Sequence, residues 1–201
     1  VNSETDFVSR NSEFHKLVNN ILDISILTKG EFNASNDQAL ELINAAVGKI
    51  GENIVLKRSA FLEGNIYSYI HNSVADGLGK IGVIINIDNV DKDIDQIGKN
   101  LCMHIAALNP KSISKDDLDE QLVEAEKEII KQQLKDTGKP DNIVEKMLDG
   151  KINKFYEETT LLGQKFVIDP TISVGDYLNN SSKELVTKLK VNEFIRFEIG
   201  S

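Results

Sequence analysis

The sequence predicts an α+β protein of two related lobes, each a small antiparallel sheet with helices packed on it, plus a protruding antiparallel helical hairpin. Three observations carry this. Apolar residues first recur at three- and four-residue steps, between Phe14 and Ile50. Three β-branched runs then follow one another between Asn53 and Ile87. Helical stripes and an alternating closing run return in the second half, around a long charged stretch. The expected division is 1–90 for the N-terminal lobe and 91–201 for the C-terminal lobe, with the hairpin at 114–158. No strict sequence repeat relates the two halves.

Phe14, Leu17, Val18, Ile21 and Leu22 fall at helical spacing, so a helix is expected to run to about Leu27, with Gly30 as its stop. Ser35-Asn36-Asp37 offers a cap to a second helix. Its stripe is Leu40, Ile43, Val47 and Ile50, and Gly51 ends it. From Asn53 to Leu62 the chain reads as a strand. Asn65 to His71 and Ile81 to Ile87 read as two more, so an antiparallel meander is expected. A helix from about Asp93 to Leu108 ends at Asn109-Pro110. Ser114 to Lys135 reads as one long charged helix with a seam of Leu118, Leu122, Ala125 and Ile129. Gly138-Lys139-Pro140 breaks it. A helix from about Asn142 to Glu158, striped by Val144, Leu148, Ile152 and Phe155, then folds back on it. A short helix near Val174 to Asn179 and a half-buried strand at Phe194 to Ile199 close the chain.

The balance of charge narrows the function. Acids outnumber bases 32 to 23, for a net charge of -9, and no Lys/Arg run marks a basic patch. A nucleic-acid coat needs the opposite sign, so no direct nucleic-acid partner is expected. Cys102 is the only cysteine, so no intrachain disulfide forms, and its apolar helical setting reads as a small buried hydrophobe. No apolar run approaches the ~20 residues of a membrane span, and no membrane partner is expected. The chain begins at Val1 rather than Met and is expected to be a fragment. The sequons at Asn33, Asn179 and Asn180 carry little weight in a reducing compartment.

Motifs for bound cofactors fail on context. Gly77-Leu78-Gly79-Lys80-Ile81-Gly82 matches a dinucleotide fingerprint by letter, but a strand follows it where a helix is required. It reads as a turn. There is no phosphate loop, so no nucleotide is expected to bind. His15, His71 and His104 lack metal-ligand spacing to one another or to Cys102, and neither metal nor cofactor is expected. The acids of 116–128 read as the solvated face of a helical arm, and nothing supports covalent catalysis. His71, beside Tyr67 and Tyr69, reads locally as a strand-end histidine, and Ile50-Gly51 as a helix stop. The residues alone reach an acidic α+β interaction protein with a helical arm, and no further.

Several short motifs, taken in order, resemble translation elongation factor Ts. They are Thr5-Asp6-Phe7-Val8, "KIGENI" (Lys49 to Ile54), Tyr69-x-His71, "MHIAALNP" (Met103 to Pro110), "GKP" (Gly138 to Pro140), Phe166-Val167 with Asp169, and "FIRFEIG" (Phe194 to Gly200). The resemblance implies a guanine-nucleotide exchange factor that promotes GDP release from elongation factor Tu, GDP-bound or nucleotide-free, without covalent chemistry. It implies that Asp6 and Phe7 intrude near the partner's magnesium site, with Phe7 as a wedge. Thr5 and Val8 complete that motif, and Ile50, Gly51 and His71 match further contact positions on the same lobe. The second lobe is implied to contact another domain of the partner. The hairpin or C-terminal lobe is implied to support self-association as a dimer. The expected location is the bacterial cytoplasm, with an organelle matrix as the alternative.

The family's N-terminal helical domain does not precede these motifs here, and the chain stops at Gly200-Ser201 where many members continue. Weaker partner binding is therefore expected. The alternative function is a dimerising partner-binding module without exchange activity. It would bind elongation factor Tu and leave GDP dissociation unchanged. A third reading, a hydrolase using acids of the hairpin, would lose activity when Asp116, Asp117 and Glu120 are replaced together.

Overall fold

A computed structural model describes residues 1–30, 32, 36–88, 93–135 and 140–200. Ser35 of the expected cap, the sequon at Asn33, and Gly138 and Lys139 of the expected breaker lie outside them. The fold is α+β. The chain divides into two compact units, residues 1–86 with 194–201, and residues 87–193. The closing strand residues from Phe194 onward thus group with the N-terminal unit, whereas the expected boundary at 90/91 assigns them to the second lobe.

In the first unit, β1 (Asn2–Ser3) leads through a 3-10 turn at Val8–Arg10 into α1 (Ser12–Leu27) and α2 (Asp37–Ile50). The Asn11 side chain accepts the Glu13 N–H and caps α1. Asn36 accepts the Gln38 and Ala39 N–H groups and caps α2. The two helices pack through Phe14, Leu17 and Ile21 against Ala39, Ile43 and Ala46, all buried. Expected core positions Leu22 and Leu40 are instead 49% and 42% exposed. Ile43 is buried as expected, while Ala39 and Ala46 take the inward places one residue before Leu40 and Val47.

The expected strand at 53–62 is only β2 (Ile54–Val55), paired antiparallel to β1 with Asn2 opposite Val55 and Ser3 opposite Ile54. Its partner is two residues long, so the ladder ends there. Leu56 then turns into the core. The Ser59 hydroxyl bonds that of Ser25, and the Arg58 guanidinium lies 4.5 Å over the Phe197 ring. Side chains, rather than a ladder, hold this segment. The expected meander is therefore a hairpin of β3 (Ile66–Ala75) and β4 (Leu78–Asp88), with β5 (Lys190–Glu198) on the far side of β4. Both strands of the hairpin run on through the stretch expected as a Gly-rich connection, and the turn is made at Asp76-Gly77.

In the second unit, α3 (Asp95–Leu108) buries Leu101, Cys102, His104 and Ile105. The helix expected from Ser114 is broken. Ser114 and Asp117 close a capping box around a 3-10 turn at Lys115–Asp117, Leu118 is extended, and α4 runs Glu120–Lys135. The Asp119 carboxylate accepts the Gln121 N–H and starts α4. α5 (Asp141–Thr159) packs antiparallel to it, with Lys151 Nζ donating to Gln133 Oε1 at 3.2 Å. The hairpin core is Ile130, Leu134 and Ile152, flanked by Val144, Met147, Leu148 and Tyr156. The expected seam is thus one residue out of phase, since Leu122 and Ile129 are exposed and Val123 and Ile130 are buried. Both stripes are apolar, and the α5 residues they meet decide between them. The last helix, α6 (Val174–Glu184), is longer than expected. Among the described residues, strand-like pairing in 95–189 is limited to isolated bridges, Ser112 with Thr160 and Lys165 with Ser173.

Candidate functional site

Thr5, Asp6 and Phe7 lie between the end of β1 and the 3-10 turn at Val8–Arg10. The turn is closed by the Arg10 N–H donating to the Phe7 carbonyl at 3.2 Å and the Ser9 hydroxyl donating to the Asp6 carbonyl at 2.7 Å. It exists because two neighbours have opposite fates. Val8 is buried, 5% exposed, in the core with Phe14 and Leu17. Phe7 is 88% exposed. A large aromatic ring left almost wholly in water gains nothing for folding, since apolar burial is the main stabilising term. Val8 is the anchor, and Phe7 is what the anchor presents. The side chain of Val8 itself is not offered to a partner at this surface.

Asp6 is also exposed, with Lys80 Nζ 3.4 Å from its carboxylate. Lys80 lies in β4, next to Ile81, and Ile81 pairs with His71 across the β3–β4 ladder. His71 is exposed, and its Nδ1 meets the Tyr69 hydroxyl at 3.1 Å. A 420 Å³ cleft runs beneath the turn, lined by Thr5, Asp6, His15, Val74 and Lys80 among others. Gly79 allows this close packing, because a Cβ there would stand 2.8 Å from the His71 carbonyl. The glycine-rich stretch 77–82 therefore forms the turn and the start of β4 in the hairpin.

The Ile50-Gly51 position is built by the end of α2. Gly51 caps the helix with φ +81°, a left-handed conformation that glycine adopts without penalty. Ile50 packs partly against the core, and Gly51 is exposed. Just beyond, the Glu52 carboxylate receives the Thr5 hydroxyl at 2.7 Å and the Thr5 N–H at 3.1 Å. Six of the seven expected positions thus leave some or all of their side chain or backbone open on one unit. Asp6 approaches the β3–β4 hairpin, and Thr5 approaches the end of α2. Two residues that touch this turn, Glu52 and Lys80, are absent from the expected set. Glu52 lies inside "KIGENI", adjacent to the expected Gly51, and that adjacency was its one signal.

Among the described residues of the second unit, the lone cysteine and His104 are both buried. Cys102 is fully buried, and burial pushes its thiol up to about 12. His104 is buried, its Nε2 2.9 Å from Gln164 Oε1 and its Nδ1 accepting the Val167 N–H at 3.2 Å. Burial lowers its pKa, so it stays neutral and structural. Asp116 and Asp117 belong to the 3-10 turn before α4. Among the described residues, no group of three or more His, Cys, Asp or Glu could hold a metal ion, and no helix is long and apolar enough to cross a membrane.

The family model described as Elongation factor TS matches residues 4–201. Elongation factor Ts of Bartonella bacilliformis is 42% identical over 213 aligned positions, covering 100% of this chain and 69% of the relative. That of Rickettsia bellii is 41% identical over 212 positions, with the same coverage. That of Paracoccus denitrificans is 40% identical over 198 positions, covering 95% of this chain and 67% of the relative. The family match begins one residue before the turn that carries Phe7, and it takes in both units. The chain belongs to the elongation factor Ts family.

Proposed function

We propose that this chain promotes GDP release from elongation factor Tu by presenting the Asp6–Phe7 turn to the partner's magnesium-binding region. The observation that carries the reading is the 88% exposure of Phe7 on a turn anchored by buried Val8. The Mg²⁺ in a nucleotide site offsets phosphate charge, so disturbing its surroundings leaves GDP less compensated. A rigid ring that becomes buried only in the displaced state biases the partner toward that state. Burying one such side chain contributes about 1.5–3 kcal/mol. A tenfold change in affinity corresponds to about 1.4 kcal/mol, so Phe7 supplies one to two decades and the wider interface supplies the rest.

Ile50, Gly51 and His71 extend the contact surface on the same unit. The second unit engages another domain of the partner, and the C-terminal lobe or its helical hairpin serves self-association. No covalent step is involved. The site of action is the cytoplasm, in keeping with the bacterial relatives. The experiment is the release of fluorescent GDP from purified elongation factor Tu, with the parent chain and with Phe7→Ala. Acceleration by the parent and its loss in the variant support the reading. Saturating binding with no acceleration by the parent would instead make the chain a partner-binding module.

A further inference from the structure

We propose that Glu52 is a positioning residue that locks the Asp6–Phe7 turn to the Ile50–Gly51 loop through Thr5, making two separate contact elements one rigid surface. The proposal rests on the exchange reading and adds to it the device that sets the wedge's direction.

The geometry begins with the β1–β2 ladder. Asn2 faces Val55 and Ser3 faces Ile54. The same register, continued past the end of both strands, brings Thr5 opposite Glu52. The backbones no longer pair there, and the Glu52 side chain takes over. Its Oε1 accepts the Thr5 hydroxyl at 2.7 Å. Its Oε2 accepts the Thr5 N–H at 3.1 Å and lies 3.0 Å from the same hydroxyl. A carboxylate accepting from one residue's backbone and side chain together fixes that residue's orientation as well as its place, because charge-assisted bonds are the stronger and more directional ones. The next two residues are Asp6 and Phe7. On the other side, Glu52 directly follows Gly51, whose left-handed φ of +81° aims the chain out of α2 toward β1.

Each end of the link is anchored. Val8 is buried beyond Phe7, and Ile54 is buried beyond Glu52. Between those anchors, the Thr5–Glu52 bonds are what ties the turn to the loop. Without them the turn keeps its closing bonds from Arg10 and Ser9, the Ser3 hydroxyl bond to the Thr5 carbonyl and the exposed Asp6–Lys80 pair, but none of these holds it to the Gly51–Glu52 loop, and it can swing relative to that loop. A wedge that swings pays an ordering cost when it enters the partner, so loss of the link lowers the rate and leaves the fold intact.

The test uses the full chain with purified elongation factor Tu, comparing Glu52→Ala, Thr5→Val, the double variant and Thr5→Ser. At saturating chain, Glu52→Ala is expected to slow stimulated GDP release about tenfold, the effect of losing hydrogen bonds to a charged acceptor, and Thr5→Val, which keeps the backbone N–H bond, to slow it less. The double variant is expected to be no slower than Glu52→Ala, which already removes every bond of the link. Thr5→Ser keeps the hydroxyl and is expected to match the parent. A second readout needs no partner: amide hydrogen exchange at Thr5 in the chain alone is expected to quicken in Glu52→Ala. Unchanged release in Glu52→Ala, additive losses in the double variant, or unchanged exchange at Thr5 would overturn the proposal. If the parent itself fails to accelerate release, the exchange reading falls. The hydrogen-exchange result then still decides whether Glu52 orders the turn.

Discussion

Val8 and Phe7 are neighbours in opposite environments, and replacing each by alanine separates folding from function. Val8→Ala removes two methyl groups from a side chain 5% exposed, packed among Phe14, Leu17 and the other core residues of the first unit. At about 0.8 kcal/mol per buried methylene-sized group, with a further cavity term, the loss is about 1.5–2.5 kcal/mol. For a chain of this size that lowers the melting temperature by about 3–10 °C. Phe7→Ala removes a ring 88% exposed, and the same bookkeeping gives a stability change within about 0.5 kcal/mol. The assay is thermal or urea unfolding of both variants beside stimulated GDP release. Val8→Ala is expected to be less stable yet to retain stimulation at a temperature where it is folded. Phe7→Ala is expected to melt like the parent and to lose one to two decades of stimulation. Equal destabilisation by both variants would refute the division into anchor and wedge. So would full stimulation by Phe7→Ala.

Other expectations follow from single positions. Ile130→Asp, at a site 4% exposed in the helical hairpin, is expected to destabilise by about 3 kcal/mol or more, as an unpaired buried charge does. Ile129→Asp, at a site 50% exposed, is expected to be nearly silent in the same urea titration. Gly79→Ala forces a Cβ to within 2.8 Å of the His71 carbonyl and against Ile70, and is expected to cost about 1–3 kcal/mol and to shift the amide signals of β3 near His71. The burial-lowered pKa of His104 predicts a pH dependence of definite sign. The unfolded state binds the proton first, so stability is full above about pH 6.5 and falls as the pH drops below it, by at most about 1.4 kcal/mol per pH unit. Urea midpoints measured across that window, with His104→Gln expected to flatten the curve, check it.

Helix ends with a local chemical cause were legible in the sequence. Asn36 caps α2 and Gly51 ends it, as the residue types require. Elements defined by their partners were not. The run 53–62 has strand composition throughout, but β1 offers only Asn2 and Ser3 to pair with. Propensity cannot reveal the length of a distant partner strand. In α4 two apolar stripes lie one residue apart, and only contact with Ile152 and Met147 selects Ile130. The break at Leu118 is not legible in the sequence, because the Ser114–Asp117 capping box reads equally well as the start of one long helix. At the candidate site, the motif named the turn on which Phe7 stands exposed. It did not show that Val8 points inward while Phe7 points out, since both are apolar and adjacent. Nor could composition pair Thr5 with Glu52, 47 residues away, because that contact depends on the β1–β2 register.

The most direct test of the central claim is the affinity of this chain for elongation factor Tu, measured once with the nucleotide-free partner and once at saturating GDP. Exchange by coupled binding requires reciprocity: GDP must weaken the chain's affinity by the same factor by which the chain weakens GDP. A ratio of one decade or more between the two dissociation constants, falling toward one in Phe7→Ala, is the predicted result. Equal affinity in the presence and absence of GDP would contradict the account, because a protein that does not discriminate the two states cannot drive the partner from one to the other.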